Sequence, residues 1–268
     1  MRCSVGVLAV FIIGCRNFNY FKHYKLVKNG IDEAGYIMLG GQEQYILIRG
    51  ENVHNPVIIY LHGGHSYGTI LGSVYAHKYP EKVDTYIGAA QVISLEETDM
   101  YSYRDALSKA QAAGEDISEL ENAYEQYANE KSLKNIMQLR NKVYQYHPVE
   151  ISDKATWMAV ISPYFGVDDL RWFLVQLGDM EEYVKLNKQL FDFTFDFNIY
   201  DYGLDYEMPA YFISGSCDWV CPVAPIREYA QAVQAPSSDF LVINGPGHNL
   251  QYSTPREFAN AVKYVLEK

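Results

Sequence analysis

The stretch that most constrains this chain is Asn55–Pro80, NPVIIYLHGGHSYGTILGSVYAHKYP. Val57–Leu61 is a short apolar run rich in β-branched residues, bounded by Pro56 and by His62-Gly63-Gly64. That pattern predicts a fully buried strand. From Tyr67 to Tyr79 the period changes: Ile70, Leu71, Val74 and Tyr75 recur at helical spacing, and Pro80 stops the run. Between the two lies Gly64-His65-Ser66-Tyr67-Gly68, which fits the G-x-S-x-G turn that presents a serine at the end of a strand. A serine hydroxyl is a weak nucleophile until a base takes its proton. The small residues flanking Ser66 let the chain turn sharply there. The helix behind it would aim its N-terminus at the oxygen that becomes negative in acyl transfer, so the Tyr67 amide is a candidate oxyanion donor. An ordinary tight turn has the same composition, and the reading needs partners for the serine.

Two candidates follow later in the chain. Asp218 lies in GSCDWVCP, directly after the apolar run Ala210–Ser214, and His248 lies in GPGHN, directly after Phe240–Asn244. Glycine-rich loops behind strands are where catalytic side chains collect. A base and an orienting acid complete the requirement of a serine nucleophile, and Ser66, Asp218, His248 is the order Ser, Asp, His.

The rest of the chain sorts into an alternating part and a helical part. Tyr36–Leu39 and Tyr45–Arg49, separated by Gly40-Gly41, read as a hairpin. Val83–Ala90 reads as a second buried strand, which with Val57–Leu61 and the intervening helix makes a βαβ unit. Strand signals vanish over residues 95–207, where helical periodicity covers Arg104–Ala113, Ile117–Glu130, Leu133–Tyr144, Val167–Leu177 and Met180–Phe191. Alternation then resumes: a helix at Val223–Val233 between the last two strands, and a final helix opened by Thr254-Pro255-Arg256-Glu257, read as a capping box. The expected architecture is therefore α/β, a mostly parallel sheet built by residues 35–94 and 208–268, with an all-helical cap at 95–207.

Charge follows the same division. Residues 95–207 hold 22 acidic and 10 basic side chains, a balance of −12 against −11 for the whole chain of 268 residues. A negative chain without a basic patch argues against nucleic acid as partner. The four cysteines, Cys3, Cys15, Cys217 and Cys221, lack the spacing of a metal site, so no metal or other cofactor is expected; the last two are read as thiols, with a disulfide left open. At the start, Val5–Gly14 is an uninterrupted apolar run behind Arg2, and Ile12-Ile13-Gly14-Cys15 is similar to a bacterial lipobox. Residues 1–20 are thus read as a leader or lipoprotein anchor, with membrane association through residues 2–15, against the alternatives of a weak signal or a truncated leader, the protein otherwise being cytoplasmic.

Taken together, His62-Gly63-Gly64, the G-x-S-x-G stretch around Ser66, Asp218 in GSCDWVCP and His248 in GPGHN resemble the α/β-hydrolases of the proline iminopeptidase-like group, over roughly residues 35–267. The resemblance implies a Ser66–His248–Asp218 triad, oxyanion donors among Tyr67, Gly63 and Gly64, and cleavage of an N-terminal residue from a small peptide or amide bearing a free amino group. Glutamates on the cap side would hold that amine, and no position here is assigned to them. One departure is large. In the group, the HGG loop and the serine turn follow different strands; here they share Gly64. At about 30 residues per βαβ unit, on the order of 60 residues are absent. The sequence thus leaves open a second reading, a catalytically impaired relative that binds or docks, or a truncated gene product.

Overall fold

The computed structural model describes residues 10–21, 30–39, 42–55, 57–61, 67–147, 158, 160–178 and 180–268. The chain divides into two compact units, Met1–Ile59 with Asp153–Gly178, and Tyr60–Ser152 with Asp179–Lys268.

In the first unit a helix at residues 10–21 (α1) is followed by two strands, Ile31–Leu39 (β1) and Gln42–Gly50 (β2). They pair antiparallel from Ile31↔Gly50 to Leu39↔Gln42. The expected hairpin is present and runs further than its apolar centre suggested; its Gly40-Gly41 connection lies outside the described residues. Arg16 on α1 donates to the carbonyl of Phe165 at 2.5 Å, Asn19 to that of Ile161 at 3.1 Å, and the Tyr164 hydroxyl to Asp32 at 2.9 Å. No described helix is long and apolar enough to cross a membrane.

The second unit is a parallel sheet with helices, the expected α/β class. Helix Tyr67–Lys78 (α2) leads to strand Tyr86–Ala89 (β3); the helical segment intervenes; then come strands Ala210–Gly215 (β4) and Ser238–Ile243 (β5). The order is β3-β4-β5 and both pairings are parallel, with Tyr86 opposite Ala210 and Ala210 opposite Ser238. Every residue of β4 is buried, as a central parallel strand covered on both faces requires.

Between β3 and β4, helices Leu95–Ala113 (α3), Ser118–Asn129 (α4) and Leu133–Tyr144 (α5) bury one face each through Ala106, Leu120, Tyr127, Ile136 and Leu139. Helix α3 starts nine residues earlier than its apolar period predicts. The signal lies in Ser94-x-x-Glu97: the Ser94 hydroxyl accepts the Glu97 N–H at 3.1 Å, capping an acidic first turn. At its other end Gly114 takes φ +69, the left-handed conformation that closes a helix at glycine. The helical segment is tied at its base, where Ser94 bridges Asn198 and the Ile199 N–H reaches the Ile93 carbonyl.

Three expectations fail locally. Val57–Leu61 is not a strand, and its five apolar side chains are 44% to 87% exposed. A buried strand exists only where neighbours pair its backbone and cover both faces; among the described residues no strand runs beside it, and the ladder of β3 goes to β4. The expected βαβ unit is therefore not formed. Thr254 does not cap the last helix, Pro255–Leu266, because its hydroxyl donates instead to the Leu250 carbonyl of the preceding turn at 3.1 Å. The Met180–Phe191 helix is two helices, Met180–Leu186 and Lys188–Asp196.

These burials predict opposite responses to truncation. Leu139→Ala, at a fully buried position, should cost about 2–5 kcal/mol, whereas Ile59→Ser, 76% exposed, should stay within about 0.5 kcal/mol. Urea unfolding of both variants checks this; a large loss at Ile59 would mean that the segment is buried in solution.

Candidate active site

The loops after β4 and β5 meet at the C-terminal edge of the sheet. Gly215 ends β4, and a Cβ there would stand 2.3 Å from the Pro246 carbonyl oxygen and 2.6 Å from that of Gly247. Only glycine permits this approach. The two loops are then stitched by backbone: Ser216 N–H to Ile243 O at 2.9 Å, Cys217 N–H to Pro246 O at 3.0 Å, and Gly245 N–H to the Ser216 hydroxyl at 2.9 Å. Gly245 itself sits at φ +102.

The stitching brings Asp218 and His248 together. Asp218 Oδ2 lies 3.0 Å from His248 Nδ1, with the carboxylate side chain fully buried and the imidazole 19% exposed. The other carboxylate oxygen, Oδ1, accepts the N–H groups of Val220 at 2.9 Å and Cys221 at 2.8 Å. An ionised carboxylate accepts only, so Nδ1 carries the proton and Nε2 is left as the nitrogen that can exchange one. Burial opposes charging the ring, but the Asp218 carboxylate and Cys221 outweigh it, and His248 is pushed up to about 10.

Of the other expected site residues, Tyr67 is described and begins α2, with its ring packed on the core. Ser66, Gly63 and Gly64 lie outside the described residues. Just before them in the chain, Leu61 comes close to Gly72 of α2, and Tyr60 lies beside Gln251, three residues beyond His248. Cys221 was not expected here. It is buried, its N–H is on Asp218 and its thiol is a neighbour of His248; its position three residues past Asp218 was the only available signal. Neither Cys217 nor Cys221 is in a disulfide. Among the described residues no cluster of three His, Cys, Asp or Glu side chains could hold a metal ion.

No family model matches the chain, and no curated protein does. Solved structures do. The proline iminopeptidase of Mycobacterium smegmatis shares 15% identity over 75% of this chain and 62% of its own, with a TM-score of 0.46. MGS-M2, an alpha/beta hydrolase enzyme from a Medee basin deep-sea metagenome library, shares 16% over 75% and 62%, at 0.42. VinJ shares 16% over 75% and 64%, at 0.43. The chain thus spans about three fifths of the length of each, and at such identities and scores these likenesses assign no family.

The raised His248 proton affinity has a definite consequence for stability. The folded state binds this proton more tightly than the unfolded chain, whose histidine titrates near 6.5. The pair's contribution is therefore complete below about 6.5 and lost as pH rises through about 10. Replacing Asp218 with Asn should remove that dependence and bring the His248 titration down, as followed by imidazole NMR and by unfolding at pH 6, 8 and 10. An unchanged titration in D218N would show that the carboxylate does not hold the proton.

Proposed function

We propose that this chain is a serine hydrolase in which Ser66 is the nucleophile, His248 the base and Asp218 the orienting acid, acting on small peptides or amides from their N-terminal end. The observation that carries the reading is the buried Asp218–His248 pair, on the loops that follow two neighbouring parallel strands. Tyr60, six residues before Ser66 in sequence, lies beside Gln251, three residues beyond His248, which adds support. In this mechanism neutral His248 takes the Ser66 proton at Nε2 as the hydroxyl adds to the substrate carbonyl, while Asp218 keeps Nδ1–H fixed and stabilises the imidazolium that forms. His248 then delivers the proton to the leaving amine, and water repeats the cycle on the acyl-enzyme. The Tyr67 amide, and those of Gly63 and Gly64, are the candidate donors to the oxyanion.

Activation of the serine needs neutral imidazole, so labelling of Ser66 by a fluorophosphonate probe should rise with pH toward the His248 midpoint. Ser66→Ala and His248→Ala should abolish it. Absence of labelling at pH 9 to 10 in the folded protein would overturn the assignment. The acidity of residues 95–207 favours a cationic amine terminus; unblocked aminoacyl aryl-amides should outpace their N-acetyl forms, by a margin that shrinks as salt screens the field. Equal turnover of the two would remove the amine from the reading.

A second reading is favoured by one observation, the exposed Val57–Leu61 segment, which belongs to no strand and precedes Ser66 in the chain. A nucleophile misplaced by about 1 Å can lose on the order of 10²-fold in rate, and a lost oxyanion donor a similar factor. This chain would then be an impaired relative whose site binds more than it turns over. Insertion of a homologous strand-helix segment between Gly64 and His65 should raise kcat/KM on a proline aryl-amide by about 10²-fold or more; equal rates would leave the junction catalytically harmless.

A further inference from the structure

The helical segment does more than lie next to the sheet: it takes hold of the loop that carries Asp218, at Trp219. The Ser102 hydroxyl of α3 donates to the Trp219 carbonyl at 2.5 Å. The Trp219 ring meets Tyr144, the last residue of α5, at 5.9 Å between centroids, and stacks on His147 at 5.9 Å and 24°. One turn from Ser102, Asp99 holds Arg140 at 2.8 Å, both side chains nearly buried, and the Arg140 guanidinium lies in the field of Cys221. Asp99 and Ser102 are three apart on α3, and Arg140 and Tyr144 four apart on α5, so each pair shares one helix face. Both faces are turned to residues 219–221.

Those residues determine the orientation of Asp218. Its Oδ1 is held by the N–H groups of Val220 and Cys221, so the plane of the carboxylate follows the backbone of the turn that Trp219 anchors. Within the hydrolase reading above, we infer that Trp219 is a positioning residue: gripped by Ser102, Tyr144 and His147, it fixes the turn that aims the Asp218 carboxylate at His248. The helical segment thereby couples mechanically to the acid and base.

The test uses the full chain with Trp219→Ala, Trp219→Phe and Ser102→Ala, reading the His248 imidazole resonances against pH, with His248→Asn to assign them. W219A should lower the His248 midpoint by about one pH unit or more, while W219F, which keeps an aromatic ring for Tyr144 and His147, should retain most of it. A fall in Tm with an unmoved His248 midpoint in W219A would overturn the inference, because packing alone predicts that result. If W219A does not fold, S102A, which removes one hydrogen bond, decides: a midpoint shifted in the same direction supports the clamp, and an unshifted one overturns it. The readout needs no turnover. Failure of probe labelling with a shifted midpoint would sink the hydrolase reading and leave the clamp, and labelling with an unshifted midpoint would do the reverse.

Discussion

A single buried carboxylate determines the shape of the sheet's C-terminal edge. Asp218 is removed from water at its side chain, and an ionised group in that position is tolerated only when its lone pairs are filled by donors. Two come from its own turn, the N–H groups of Val220 and Cys221, and the third from His248 thirty residues later. Meeting this demand forces the β4 and β5 loops into contact, which is why Gly215 has no room for a side chain and Gly245 takes a left-handed conformation. The same demand sets the electrostatics of the histidine: a ring facing a desolvated anion keeps its proton far above the ordinary range.

The helical segment carries a second buried charge pair with a less complete set of partners. Asp99 and Arg140 meet at 2.8 Å, yet Asp99 Oδ2 and the neighbouring Tyr127 hydroxyl fall short of full hydrogen-bond geometry, and burial pushes the Asp99 carboxyl up despite the guanidinium. Buried pairs of this kind contribute little net stability compared with an apolar replacement, while loss of one partner is costly. Its position one helical turn from the Ser102 contact to Trp219 places that sensitivity next to the loop of Asp218. Among the described residues of 95–207, carboxylates such as Glu119 lie in solvent, while Asp99 is internal and structural.

Much of the helix content was legible because a 3.6-residue apolar period needs only one partner surface. Leu133–Tyr144 was read to the residue, and β4 and β5 were located from runs of apolar residues ending in Gly, Asp or Pro. The start of α3 was legible in principle through Ser94-x-x-Glu97 and was missed because its first turns are acidic and aromatic in place of periodic. Thr254-Pro-Arg-Glu257 shows the converse: the capping pattern is there, but the hydroxyl has a nearer acceptor in the Leu250 carbonyl.

By itself the sequence determined the α/β alternation, the helical segment between β3 and β4, and the pairing of Asp218 with His248 as candidates, because each rests on local patterning or on residue types placed just after strands. Tertiary structure alone decided three things. Val57–Leu61 has the composition of a core strand and is left exposed, since a strand's stability belongs to its neighbours in the sheet and none is beside it among the described residues. The proton on His248 is held by a carboxylate whose desolvation comes from the surrounding fold. And Trp219, an unremarked residue between Asp218 and Cys221, meets Ser102, more than a hundred residues earlier, a contact that only the packing of α3 against the loop after β4 creates.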